Sequence, residues 1–216
     1  MADRAVGVPI VKEGAPFVGA AAVATLATWA AGWIIPTCLL GGVTAFTAWF
    51  FRNPARQVPT QPQIVVAPGD GKVIAIEREF EPRWIKDQSV RISIFLNVFD
   101  VHVNRTPVAG TIENVIYQPG KFVPANKPEA TLQNEQNALC LRTQQGAKIL
   151  CVQVAGLIAR RIVSWVGPGD RVPAGERYGL IRFGSRMDLY VPIGSSIRAA
   201  VGQRVKGGET IVAELI

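Results

Sequence analysis

The sequence predicts a mainly β domain preceded by a hydrophobic helical hairpin. Three observations carry that reading. Residues 14–51 contain no charged side chain. After Arg56 no stretch keeps a 3.6-residue apolar period over a helical length, whereas short apolar runs bounded by Gly, Pro and Asp recur. Finally, Gly169-Asp-Arg-Val-Pro-Ala-Gly-Glu176 and Gly202-Gln-Arg-Val-Lys-Gly-Gly-Glu209 share the pattern G-x-R-V-x-x-G-E, each ahead of an apolar run.

Taken in order, residues 1–15 form an N-terminal segment expected in the cytoplasm. Residues 16–51 are longer than one simple span, which needs about 20 residues. They are also too long for the apolar core of a signal peptide. Pro36 and the Gly41-Gly42 pair interrupt the run. Two helices, near Pro16–Ile35 and Thr37–Phe51, are expected as a tight membrane-inserted hairpin that enters and leaves on one side. Arg4 and Lys12 precede it, and Arg52 and Arg56 follow. The positive-inside rule then places both ends in the cytoplasm, with the remaining domain at the cytoplasmic face of the inner (plasma) membrane. Trp29, Trp33 and Trp49 suit interfacial anchors. A buried helix pair in a water-soluble protein is the alternative.

Residues 52–63 read as a linker and 64–216 as the β-rich catalytic domain. Ile64–Ile76 predicts strand, turn, strand; Val90–Phe99, Thr111–Tyr117, Ala138–Arg142 and Lys148–Val154 predict further strands. Half-repeats of the G-x-R-V-x-x-G-E kind recur in lipoyl- and biotinyl-like β-sandwiches, where short hairpins pack face to face. The attachment lysine of those carriers, between two methionines, is absent. Lys121–Gln136 is a polar, proline-containing connection of a length that is usually functional or disordered, and it suits a substrate cover.

At 216 residues the chain can hold one packed domain and an appendage. Its net charge of +7 calls for an anionic partner. With the apolar segment, that partner is expected to be membrane lipid, not nucleic acid. Cys38, Cys140 and Cys151 make an odd count without CxxC spacing, which argues against a disulfide framework or a zinc site. Cys140 and Cys151 lie in apolar runs and read as packing residues.

The chemistry concentrates at three places. Gly184-Ser185 lies inside the strand-like segment Gly179–Pro192. Glycine in a strand marks a bulge or close approach and permits strained backbone angles. A serine hydroxyl there can attack the preceding carbonyl and replace the peptide bond by an ester. Elimination from the ester leaves dehydroalanine, which hydrolyses to an N-terminal pyruvoyl group. His102, the one histidine, follows an apolar strand and shares a side with Asp100 and Asn104 by period two. Asp70 sits in a Gly-Asp-Gly turn. Asp70 can orient His102, which can deprotonate Ser185. Structural readings stand beside these: a packing histidine, an Asx-turn aspartate, a bulge at Gly184-Ser185.

Together the motifs resemble the short-form bacterial phosphatidylserine decarboxylases, which are made as proenzymes. The matching pieces are Phe50-Phe51-Arg52-Asn53-Pro54-Ala55-Arg56, Ala67-Pro-Gly-Asp-Gly-Lys-Val73 and Phe99-Asp-Val-His-Val-Asn-Arg-Thr-Pro107. They continue with Pro119-Gly-Lys-Phe122, Asn134-Glu-Gln-Asn-Ala138 and Gly179–Pro192, in order along almost the whole chain. The resemblance implies self-cleavage between Gly184 and Ser185 into a large subunit, 1–184, and a small subunit, 185–216. Ser185 becomes the pyruvoyl group, whose carbonyl serves as electron sink for loss of carbon dioxide from phosphatidylserine, with no metal and no pyridoxal phosphate. Substrate contacts are expected at Asn104, Arg105, Lys121 and Phe122, as is a homo-oligomer bound to membrane lipid.

One departure bears on the mechanism. Larger members of the family carry a second histidine three positions beyond the one matching His102, and it belongs to their self-cleavage triad. Here that position is Arg105. Either His102 serves both reactions or another group takes one of them. Arg105 can hold a carboxylate or phosphate, or simply cap a turn. Competing functions are an archaetidylserine or other amino-headgroup decarboxylase, a pyruvoyl enzyme acting on a soluble amino acid, and a non-enzymatic membrane-anchored adaptor.

Overall fold

The computed structural model describes residues 9–121, 133–156, 162–182 and 185–216. The chain divides into two compact units, Met1–Ala55 and Arg56–Ile216.

The first unit is a helical hairpin of α1 (Ala15–Ala30) and α2 (Ile34–Phe50). The break falls earlier than Pro36. Gly32 makes the reversal at φ +75°, a left-handed conformation that glycine adopts without a Cβ clash. Pro36 instead sits in the first turn of α2, where its missing N–H has no intrahelical acceptor to lose. Gly41 and Gly42 lie within α2 and do not interrupt it. Threonines join the helices. The Thr25 and Thr44 hydroxyls are 3.0 Å apart, and Thr37 donates to Thr28 over 3.1 Å. The large apolar side chains point outward, and α1 buries no residue. At about 1.5 Å per residue the helices measure about 24 and 26 Å, against about 30 Å for a hydrocarbon core. No helix among the described residues is long and apolar enough to cross a membrane.

The second unit is built from strands: β1 (Ile64–Val66), β2 (Gly71–Glu81), β3 (Asp87–Leu96), β4 (Val103–Arg105), β5 (Gly110–Gln118), β6 (Gln136–Arg142) and β7 (Lys148–Ala155). They continue as β8 (Ile162–Ser164), β9 (Arg171–Val172), β10 (Arg177–Ile181), β11 (Ser185–Pro192), β12 (Ser196–Ile197), β13 (Arg204–Val205) and β14 (Ile211–Glu214). The largest sheet runs β13-β2-β3-β11-β7-β6-β5-β9; two smaller ones run β1-β14-β12 and β4-β10-β8. Apolar alternation fixes the faces. Met187, Leu189 and Val191 of β11 join Ile92, Ile94 and Leu96 of β3 in the main core. Tyr190 joins Cys140, Leu150 and Val152 in a smaller cluster. Each fully buried aliphatic side chain there contributes roughly 1.5–3 kcal/mol.

The two half-repeats fold alike. Gly169 and Gly202 have φ of +88° and +91°, and Gly175 and Gly208 have +74° and +79°. Val172 and Val205 are buried, and β9 and β13 each pair antiparallel with a long strand, β5 and β2. The predicted segment Gly179–Pro192 is two strands, β10 and β11, with Ser185 opening the second.

Candidate active site

Ser185 is the first residue of β11, a strand hydrogen-bonded on both sides. Its register partners are Leu96 on β3 and Ala155 on β7. It shares a face with Met187 and Leu189 and is fully buried. Its Oγ has no hydrogen-bond partner among the described residues. A buried hydroxyl left unpaired costs about 1–3 kcal/mol, so its retention asks for a chemical reason. Gly184, on the other side of the candidate bond, lies outside the described residues, as does Phe122.

His102 is fully buried just before β4. Its Nδ1 lies 2.9 Å from the Asp100 carbonyl oxygen. Since a carbonyl only accepts, Nδ1 carries the proton in the neutral ring and Nε2 is left as the basic nitrogen. The His102 carbonyl accepts from the Ile181 N–H at 3.3 Å, four residues ahead of Ser185. Asp100 does not share a strand face with His102. It closes the preceding loop, taking the Asn97 N–H at 2.9 Å and Arg204 at 3.3 Å on its carboxylate.

Asp70 is paired differently from the expected relay. Both its oxygens accept from Arg56 Nη2, at 2.9 and 2.7 Å, and Oδ1 also takes the Gly207 N–H at 2.8 Å. A guanidinium beside a backbone N–H offers this carboxylate full charge and directed donors. At Nδ1 the His102 ring is held by the Asp100 carbonyl.

A line of amides runs under the same face. Asn137 Nδ2 donates to Gln153 Oε1 and Gln153 Nε2 donates to Asn104 Oδ1, each at 2.8 Å. Asn104 Nδ2 ends the line, buried and without a partner among the described residues. A Cβ added at Gly69 would sit 3.3 Å from Leu96, 3.4 Å from Met187 and 3.5 Å from Asn104 Nδ2. The unused donor therefore lies beside the register partner of Ser185 and the next residue on its face.

Arg105 ends β4 and is buried, donating from Nη1 to the Gly175 carbonyl at 2.9 Å. Burial first, then repulsion from Arg56 and Arg177, pull its guanidinium down to about 10, which leaves it charged at neutral pH. Lys121 is exposed. It meets Asn134 in an isolated bridge, so the two ends of the long connection come together there. Among the described residues no three His, Cys, Asp or Glu side chains gather as metal ligands do. Cys140 and Cys151 are buried, and burial pushes both thiols up to about 12.

Sequence reasoning missed Arg56, Asn137, Gln153 and Arg177. Arg56 was read as a membrane-flanking charge, and nothing in its neighbourhood marks Asp70 as its partner. The amides sit in apolar strand runs, where a lone Asn or Gln at an inward position was the available signal.

A family model described as phosphatidylserine decarboxylase matches residues 43–213. A phosphatidylserine decarboxylase proenzyme of Desulfotalea psychrophila is 48% identical over 209 residues, covering 97% of this chain and 98% of that protein. Proteins of the same name from Nitrosomonas europaea and Ralstonia nicotianae are 45% and 46% identical. They cover 95% of this chain and 94% and 95% of their own lengths.

Proposed function

Since the chain belongs to the phosphatidylserine decarboxylase family, we propose that it converts phosphatidylserine to phosphatidylethanolamine after cleaving itself between Gly184 and Ser185. The observation that carries this reading is the buried Oγ of Ser185, without a partner among the described residues, at the start of a central strand. Among the described residues no acceptor or donor competes for that oxygen. The same residue then becomes the pyruvoyl group, for which a dry, strand-anchored position fits. Once formed, its carbonyl supplies the electron sink for decarboxylation.

His102 Nε2 takes the Ser185 hydroxyl proton as general base, with the Asp100 carbonyl fixing the ring. Asn104 Nδ2 donates to the oxygen that gains charge, on the attacked carbonyl during maturation and on the substrate afterwards. Asp70, clamped by Arg56, sets the turn that packs against Asn104. Lys121 and Phe122 contact the headgroup from the start of the long connection. The small subunit 185–216 keeps β11 between β3 and β7 and β14 between β1 and β12, so the cleaved chain holds together as one unit. The repeated turns at Gly169–Glu176 and Gly202–Glu209 support a lipoyl/biotinyl-like arrangement of that unit.

The hairpin inserts into the cytoplasmic leaflet without spanning it, and the +7 charge adds attraction to anionic lipid. Denaturing electrophoresis with intact mass tests the core of the reading. Wild type separates into 1–184 and 185–216, the latter with a blocked N-terminus, and Ser185→Ala stays whole. His102→Ala matures slower by orders of magnitude. Fully active wild type that never cleaves rejects the proposal.

A further inference from the structure

Three buried guanidiniums gather around Arg105. Arg56 precedes β1, Arg105 ends β4 and Arg177 opens β10; Arg105 and Arg177 are register partners. Their partners are unequal. Arg56 has Asp70 at 2.7 Å and Glu209 at 3.8 Å. Arg105 caps the Gly175 carbonyl. Arg177 is 5% exposed, and its Nη2 is buried without a hydrogen-bond partner among the described residues. The charge of Glu176 acts on it through space, against the repulsion it shares with Arg105. The repeat glycines leave this place to backbone: a Cβ at Gly208 would lie 2.8 Å from Arg105 Cδ and 3.5 Å from the Gly175 Cα. A buried cation whose donors are unused is costly unless an anion meets it.

We infer that Arg177 and Arg105, with Arg56 at the edge, form a subsite for a phosphate-type oxyanion. Two forks acting on one anion need several acceptor oxygens, which a phosphate offers and which guanidinium geometry matches. The reacting carboxylate is excluded by its own chemistry. Its charge disappears as carbon dioxide leaves, so two arginines on it would stabilise the ground state over the transition state and slow the reaction. Arg105 follows His102 by three residues, roughly 10 Å of extended backbone at 3.3 Å per residue, which suits an anion that does not react. Two sources share this chemistry: the headgroup phosphodiester, which rests on the function proposed above, and free inorganic phosphate.

Calorimetry on the full-length protein tests the subsite, with inorganic phosphate, glycerophosphoserine and serine as probes. Phosphate and glycerophosphoserine bind and serine does not. Arg177→Gln weakens both by about tenfold or more, and Arg177→Lys, which keeps the charge but not the fork, restores only part. In turnover of dispersed short-chain phosphatidylserine, Arg177→Gln raises KM by a similar factor with kcat nearly unchanged. Phosphate that competes with this substrate assigns the site to the headgroup. Arg177-dependent phosphate binding without competition assigns it to free phosphate. Repeating the binding in Ser185→Ala, which is expected to lack turnover, separates failure of the subsite from failure of the cleavage reading. Should Arg177→Gln fail to fold, Arg177→Lys and the serine control still decide. Equal affinity for phosphate in wild type and both folded variants, or serine binding as well as glycerophosphoserine, overturns the inference.

Discussion

In the hairpin, Trp29, Ile34 and Ile35 stand 71%, 77% and 75% exposed, while Thr25, Thr28, Thr37 and Thr44 bond one another between the helices. In the β unit the order is reversed: Ile92, Ile94, Leu96 and Leu189 are wholly buried, and ion pairs such as Arg142–Glu113 and Arg198–Glu214 lie outside. The β unit hides apolar surface from water, the main favourable term in folding. The hairpin leaves that surface exposed, as the proposed lipid insertion requires. In lipid, helices are held by close packing and interhelical hydrogen bonds, which is what small residues and threonines provide. Polar groups inside each unit therefore mean different things. Between the helices they are adhesive. Inside the β unit Ser185 Oγ, Asn104 Nδ2 and Arg177 Nη2 find no partner among the described residues, and buried groups of that kind ask for a chemical reason.

Separating the regions gives the largest expected effect. A chain beginning at Pro54 stays in the supernatant, still cleaves at Ser185, and loses turnover on bilayers by about a hundredfold relative to dispersed substrate. Release of the full-length protein from membranes by salt or carbonate would show that the hairpin is not inserted, since only electrostatic attraction is screened.

The polar line inside the β unit comes next. Gln153→Leu strands both the Asn137 donor and the Asn104 acceptor, so it lowers stability by about 1–3 kcal/mol and Tm by several degrees. Thermal unfolding followed by near-ultraviolet circular dichroism reads it, and an unchanged Tm would mean that water replaces the amide.

Smaller still is the pH dependence of the β core. Cys140 and Cys151 are raised to about 12 and the Tyr178 and Tyr190 hydroxyls are raised as well, all chiefly by burial. The unfolded chain loses these protons first. The stability they carry is thus full below about pH 8.5 and falls as pH climbs toward 12. Urea midpoints at pH 7.5, 9 and 10.5 should decline in that order. Iodoacetamide at pH 8 in detergent should label exposed Cys38 alone; adducts on the buried thiols without denaturant contradict the packing.

Thr25→Val gives the smallest change. One interhelical hydrogen bond in lipid averages about 0.6 kcal/mol, so hairpin helicity by circular dichroism stays near wild type. A hairpin that unfolds on this substitution would put the threonines, not lipid, in charge of its shape.

Much of this was legible locally. The uncharged run, the alternating strands and the glycine-bounded half-repeats follow from composition and period, which depend on neighbours in sequence. Ser185, His102 and Asp70 stood out because reactive side chains beside glycine turns or strand ends are unusual. The hairpin turn was misjudged because proline looks like a break wherever it falls, while only its place in the helix decides. The Arg56–Asp70 pair was not legible because nothing local ranks Arg56 above a histidine as partner for that aspartate.

By itself, the sequence determined two regions of opposite surface character, a mainly β unit built on a repeated turn, and a serine poised after glycine. Only the tertiary structure decided that Arg56 holds Asp70, that Gln153 reaches Asn104 across 49 positions, and that Arg105 caps Gly175 across 70. The reason is physical. Strand and helix patterns report which face of a short segment meets the core. Partners for a charge or an amide are chosen by strand register and sheet order, where one step of register moves every side chain to the other face.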